Sequence, residues 1–147
     1  MTGILLDTNL VIDWLIGYRK SRPKNEEQRF RAEAAAKLLS QTFQTKQLTY
    51  ISCHTFKELL QYPRISPEEE KRIYSILLAT TIILPTTREI AQIAGLMARQ
   101  SHEYRNHHIE DCYIASTAIF HKIPLYTRNP ADYSYVQHEN LIIKIPY

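Results

Sequence analysis

Ile4-Leu5-Leu6-Asp7-Thr8-Asn9-Leu10-Val11-Ile12 is the stretch that decides the fold of this chain. Three consecutive apolar residues read as a strand buried on both faces, and the polar residues after them form a strand-to-helix turn. A carboxylate in such a turn lies at the carboxyl edge of a sheet, where open α/β folds place their ligands. Asp7 is therefore the first site candidate. It is equally a candidate helix cap, because Asp, Thr and Asn are ordinary residues of turns and helix starts.

Working outward, strand-like and helix-like segments alternate. A short helix follows the Asp7 turn and ends near Gly17, and residues 18–24 form a loop carrying Arg19, Lys20, Arg22 and Lys24 around Pro23. Asn25 and Gln28 have capping-box spacing, and Phe30, Ala34 and Leu38 recur every fourth residue, so a helix is expected to about Gln41. Residues 48–52 read as a second strand and 53–62 as a helix stopped by Pro63. Ser66-Pro67-Glu68-Glu69 is a helix start, with the helix running to Leu78. Residues 81–84 read as a third strand, Thr87 opens a helix to about Glu103, and 109–121 form another. Strands at 124–127 and 141–145 complete the pattern, with a loop over 128–133. Such alternation predicts an α/β fold, a central mainly parallel sheet flanked by helices.

Bulk properties narrow the setting. The 147 residues fit one domain, 1–147, large enough for a core without staples. A composition of 44% hydrophobic and 22% charged residues is that of a globular chain, and no apolar run approaches a membrane span. No basic segment precedes the first apolar run, so a signal peptide is not expected. Cys53 and Cys112 have neither disulfide nor zinc-site spacing, which makes a reducing, cytoplasmic setting the expectation. The net charge of +3 permits a polyanionic partner without requiring one.

The placing of the acids is the chemical signal. Glu58 lies on the helix after the second strand, Asp111 opens the helix before the fourth, and Asn129 and Asp132 follow the fourth strand. Helix starts and strand ends share one edge of a parallel sheet, so these residues can converge on Asp7. Two carboxylates about 5 Å apart repel by roughly 3 kcal/mol at an effective dielectric near 20, so a cluster of them needs a proton or a cation. Oxygen-only sites select hard divalent ions, Mg²⁺ or Mn²⁺.

These pieces, Leu5-Leu6-Asp7-Thr8-Asn9, Glu58 in Phe56-Lys57-Glu58-Leu59, Glu110-Asp111-Cys112-Tyr113-Ile114-Ala115, and Leu125-Tyr126-Thr127-Arg128-Asn129-Pro130-Ala131-Asp132-Tyr133, stand in the order of a known signature. Together they resemble the PIN-domain ribonucleases, particularly the VapC-type toxins, over nearly the whole chain. The resemblance implies a PIN-like α/β/α sandwich and an acidic Mg²⁺/Mn²⁺ site of Asp7, Glu58 and Asp111. Where the family places a fourth Asp, either at position 129 or a few residues later, this chain has Asn129 and then Asp132. Asn129 can coordinate only as a neutral ligand, which leaves Asp132 as the fourth charge. Thr8 is expected to bond Asp7 or phosphate, Asn9 to hold the turn, and Arg128 to hold the nucleic-acid backbone. Also implied are metal-dependent endoribonuclease activity, a small antitoxin partner covering the acidic pocket, and a homodimer. The alternatives are a PIN nuclease of RNA or DNA processing that is no toxin, and a degenerate PIN module that only binds a partner.

Other residues carry weaker signals. His107 and His108 precede Asp111, and a carboxylate–histidine metal pair through His107 competes with capping or exposure at a helix start. Arg105 and the 18–24 loop are further cations for a polyanion, and Tyr133 or Tyr135 could stack an unpaired base. Asp13 is expected as a surface charge or a support to the site, Glu110 on a different helix face from Asp111, and Trp14 in the core or a dimer contact.

Overall fold

A computed structural model describes residues 2–18 and 22–147, so Arg19 and Lys20 of the basic loop lie outside the described residues. Strands β1 (Ile4–Leu6), β2 (Thr49–Ser52), β3 (Ile82–Leu84), β4 (Leu125–Tyr126) and β5 (Ile143–Lys144) form one sheet in the order β3-β2-β1-β4-β5. Every pairing is parallel. The connections are helical: α1 (Thr8–Ile16) and α2 (Glu26–Gln44) after β1, α3 (Cys53–Leu60) and α4 (Pro67–Thr80) after β2. Helices α5 (Arg88–Arg99), α6 (His102–Asn106) and α7 (Ile109–His121) lie between β3 and β4. No helix among the described residues is long and apolar enough to cross a membrane.

The pleat divides the apolar run between two layers. Ile4 and Leu6 pack with Leu10, Val11, Trp14, Ile51, Leu59, Ile73 and Leu77 on one face. Leu5 packs on the other with Tyr50, Met97, Tyr104, Ile114, Ala118 and Leu125. An α/β/α sandwich follows, with β1 buried on both sides as its unbroken hydrophobicity requires. Gly3 admits the chain at this point: its φ is +149°, and a Cβ there would lie 2.5 Å from the Leu48 carbonyl oxygen.

Local signals account for the helix starts. The side chains of Asn25, Ser66 and Thr87 accept from the backbone N–H of Gln28, Glu69 and Ile90. The single helix expected over 87–103 is instead two, because Ser101 caps a fresh start by accepting from Tyr104 N–H, which turns Tyr104 into the core. The loop expected over 128–133 contains a 3-10 turn, Pro130–Tyr133.

Sheet order sets the position of the site. From β1 the chain moves to one side, to β2 and β3, then crosses to β4 on the other side, so the strand order reverses at β1 and a crevice opens beyond its carboxyl end. Asp7 is the first residue past that end.

Asp13 is not a surface charge. Only 3% exposed, it accepts from Arg128 Nε at 2.8 Å and from the Tyr147 hydroxyl at 2.8 Å. This ties the loop after β4, and residue 147, to α1. Removing one member of a buried pair leaves the other charge uncompensated, so Asp13→Ala should cost about 3 kcal/mol. For a chain of this size that is a fall in melting temperature of about 6–12 °C. In thermal unfolding, Asp13→Ala/Arg128→Met should recover at least half the loss; a double variant as unstable as the sum of the two single ones would show that the pair contributes nothing.

Candidate active site

Asp7 is 2% exposed and each of its oxygens is held. Oδ1 accepts from Thr8 N–H at 2.7 Å, which makes Asp7 the cap of α1 as well as the head of the site. Oδ2 accepts from the Thr127 hydroxyl at 2.7 Å and from Asn9 Nδ2 at 3.0 Å. Asn9 also accepts the Arg128 backbone N–H at 3.3 Å, which joins the turn to the loop after β4. Burial raises the Asp7 pKa above the usual carboxylate range against the pull of these donors, and the charge of Asp132 pushes the same way.

Glu58 reaches the same crevice from α3. Its Oε1 accepts from the Thr8 hydroxyl at 2.7 Å, and Thr8 Oγ1 lies 3.0 Å from Thr55 Oγ1. With the Thr8 proton directed at Glu58, the Thr55 hydroxyl donates to Thr8. Thr8 thus bonds Asp7 through its backbone, while its hydroxyl orients Glu58. The Glu58 pKa is raised by burial first, with Asp111, Glu110 and Asp7 adding repulsion.

Asp111 sits in the first turn of α7, where Oδ2 lies 2.8 Å from His108 Nδ1 and Oδ1 accepts from the Tyr133 hydroxyl at 3.4 Å. Burial lifts its pKa to about 6, opposed by the His108 hydrogen bond and reinforced by the charges of Asp7 and Asp132. Asp132, from the 3-10 turn, completes the group: ligand atoms of His108, Asp111 and Asp132 all lie within 4.8 Å of one another. Asp7 and Glu58 stand outside that 4.8 Å group but close enough for their charges to act on it, so the four expected acids share one crevice. The histidine beside them is His108, three residues before Asp111, and not His107.

Two supporting roles differ from expectation. Arg128 turns its guanidinium to Asp13 and away from the acids. Tyr133, at 2% exposure, is too buried to stack a base, and its hydroxyl lies between Asp111 and Asp7. Tyr135 is exposed, and Arg105 is exposed with its guanidinium on the Ala98 carbonyl. Asn129 contributes its backbone N–H to Thr127 Oγ1 at 3.0 Å. Glu110 does occupy a different face, pairing with His54 and Lys57 of α3. Thr127, Thr55 and the Tyr133 hydroxyl were not marked by the sequence, since a threonine or tyrosine gains this role only from what packs opposite it.

The donor set suits a hard divalent ion: carboxylate oxygens from four elements, those of Asp7, Glu58 and Asp111 raised in pKa by burial and mutual repulsion, with no lysine or arginine of the described residues among their hydrogen-bond partners. The PIN domain family model matches residues 4–135, and the chain belongs to that family. No curated protein sequence matches it. Among solved structures it is similar to VapBC2 from Rickettsia felis bound to a promoter DNA fragment, at 17% identity and a TM-score of 0.67, covering 96% of each chain. A toxin-antitoxin complex from Klebsiella pneumoniae gives 23% identity and a TM-score of 0.65, covering 99% of this chain and 98% of that one. FitAcB from Neisseria gonorrhoeae gives 22% and 0.65, covering 97% of each.

A carboxyl whose pKa is higher in the folded than in the unfolded chain favours folding below the unfolded value, and that contribution is lost as pH rises through the folded value. For Asp111 the window runs from 3.8 to about 6. In EDTA, Asp111→Asn should therefore gain stability relative to the parent as pH rises from about 4 to about 7, as read by denaturant unfolding. A difference independent of pH would show that the folded environment does not perturb this carboxyl.

Proposed function

Starting from membership of the PIN-domain family, we propose that the protein is a metal-dependent endoribonuclease and the toxin of a toxin-antitoxin pair. The observation that carries this reading is the meeting of Asp7, Glu58, Asp111 and Asp132 at the switch point of the sheet. Mg²⁺ or Mn²⁺ is the proposed ion, with these four residues as its ligands. When bound, such an ion polarises a phosphodiester and lowers the pKa of the attacking water.

The chain's own residues supply position and charge. Thr8 N–H, Asn9 and Thr127 prevent the Asp7 carboxylate from rotating, and the Thr8 hydroxyl fixes Glu58. The Tyr133 hydroxyl spaces Asp111 from Asp7. Hydrolysis joins the water oxygen to phosphorus and breaks the bond to one ribose oxygen; the attacking water gives up one proton and the departing oxygen takes up one, so the protons balance. With Arg128 engaged by Asp13, phosphate contacts fall to exposed cations, Arg105 among them. A small antitoxin belongs to the same proposal, supported by the toxin-antitoxin complexes of like fold, and a homodimeric state and a cytoplasmic setting are proposed with it. A PIN nuclease of RNA or DNA processing is the second reading, and an open reading frame for a DNA-binding partner beside the gene would decide against it. Intact acids count against a module that only binds.

Single-stranded RNA should be cleaved with Mg²⁺ or Mn²⁺ and not in EDTA. Asp7→Asn or Asp111→Asn should lower the rate at least about a hundredfold with the fold retained by circular dichroism, because an amide removes a full charge from a hard-ion site. Cleavage undiminished in EDTA, by protein free of contaminating nuclease, rules the mechanism out. Millimolar Mn²⁺ should raise the melting temperature of the parent, and less that of the Asp7→Asn/Asp111→Asn variant.

The fourth ligand has its own test. A carboxylate brings charge where an amide brings one neutral oxygen, so Asp132→Asn should weaken Mn²⁺ binding by calorimetry more than Asn129→Ala does. The reverse order would transfer the role to Asn129.

A further inference from the structure

His108 is used neither in capping its helix nor in the core. It stands at the N-cap position of α7 without a side-chain capping bond, and its ring turns toward Asp111. The ring is only 26% exposed and is held on its far side: Nε2 lies 3.2 Å from the Tyr135 hydroxyl and 3.9 Å from Glu103 Oε2. Tyr135 also lies against the imidazole, with centroids 4.9 Å apart, and is itself packed edge-on to Tyr104.

This arrangement is the one that fixes a metal-ligating histidine. An outer carboxylate or hydroxyl holds the proton on one ring nitrogen and aims the other inward. In the ion-free protein Nδ1 shares a proton with Asp111 Oδ2 at 2.8 Å; with an ion in that proton's place, the remaining ring proton sits on Nε2, where the Tyr135 hydroxyl accepts it. The spacing fits as well. Neighbouring ligands on an octahedral ion with bonds of about 2.1 Å are about 3.0 Å apart. His108 Nδ1 and Asp111 Oδ2 are 2.8 Å apart, and Asp132 offers an oxygen within 4.8 Å of their ligand atoms.

We propose that His108 Nδ1 ligates the divalent ion together with Asp111 and Asp132, making a mixed nitrogen and oxygen centre that favours Mn²⁺ over Mg²⁺. The inference rests on the metal site proposed above and adds a ligand to it. The ion takes the place of the proton now shared between Nδ1 and Oδ2. Imidazole suits ions of the first transition row, whereas Mg²⁺ is selected by oxygen and water, so one nitrogen shifts the preference.

Pulsed electron paramagnetic resonance of the Mn²⁺-loaded protein tests this without any substitution. Modulation from a directly bound ¹⁴N is expected and should change to the ¹⁵N pattern when the histidines are ¹⁵N-labelled. His108→Ala should abolish it, and His107→Ala should leave it intact. By calorimetry, His108→Ala should weaken Mn²⁺ binding by about tenfold or more, and Mg²⁺ binding by less than about threefold. Tyr135→Phe, which keeps the ring and loses the hydroxyl, should weaken Mn²⁺ binding by a smaller factor. Bound Mn²⁺ without nitrogen modulation overturns the proposal and leaves the acidic site standing. Absence of any Mn²⁺ binding by the parent overturns both.

Discussion

The site depends on the bond between the Thr127 hydroxyl and Asp7 Oδ2, 2.7 Å across the end of the central strand pair. Asp7 N–H donates to the Tyr126 carbonyl at 2.9 Å, so the carboxylate lies where the β1/β4 ladder runs out and has no strand neighbour to satisfy it. A buried carboxylate without donors is expensive by several kcal/mol. Thr8, Asn9 and Thr127 offset part of that cost, and the upward direction of the Asp7 pKa says that they do not offset all of it. What remains favours a proton or a cation at this edge.

The chain assigns its own charges so that this demand is left unmet from within. Neutral hydroxyls of Thr8, Thr127 and Tyr133 contact the acids, while Arg128 is spent on Asp13 and Lys57 on Glu110. A lysine or arginine among the four carboxylates would cancel their charge permanently. Hydroxyls orient without neutralising, which keeps the place open to an exchangeable ion. The same distribution gives the Asp13–Arg128 pair a second effect: it holds the segment bearing Asp132 against α1, near the acids that arrive from α3 and α7.

His108 shows how narrowly such a place is set by backbone geometry. Had the chain run as one helix from 87 to 103, Tyr104 would not be turned into the core at the Ser101 break. Tyr104 carries Tyr135 against its ring, and Tyr135 in turn meets His108. The position of one imidazole is therefore tied to a serine seven residues earlier in sequence and to a tyrosine from the other side of the crossover.

Much of this was legible in the residues alone. An uninterrupted apolar run ending on Asp7 reads as a doubly buried strand with a carboxylate at its edge, and Ser66, Asn25 and Thr87 read as helix starts, because strand burial and capping are decided within a few residues of chain. Asp7, Glu58, Asp111 and Asp132 could be named as candidates, since each follows a strand end or opens a helix, and those ends share one edge of a parallel sheet. Which hydroxyls serve them could not be read. Thr127 meets Asp7, Tyr133 reaches Asp111, Asp13 is buried by Arg128 and Tyr147, and His108 faces the acids in place of His107. Each of these is a donor–acceptor distance or a burial set by how helices and loops come to rest on the sheet, a quantity that exists only after the layers have packed.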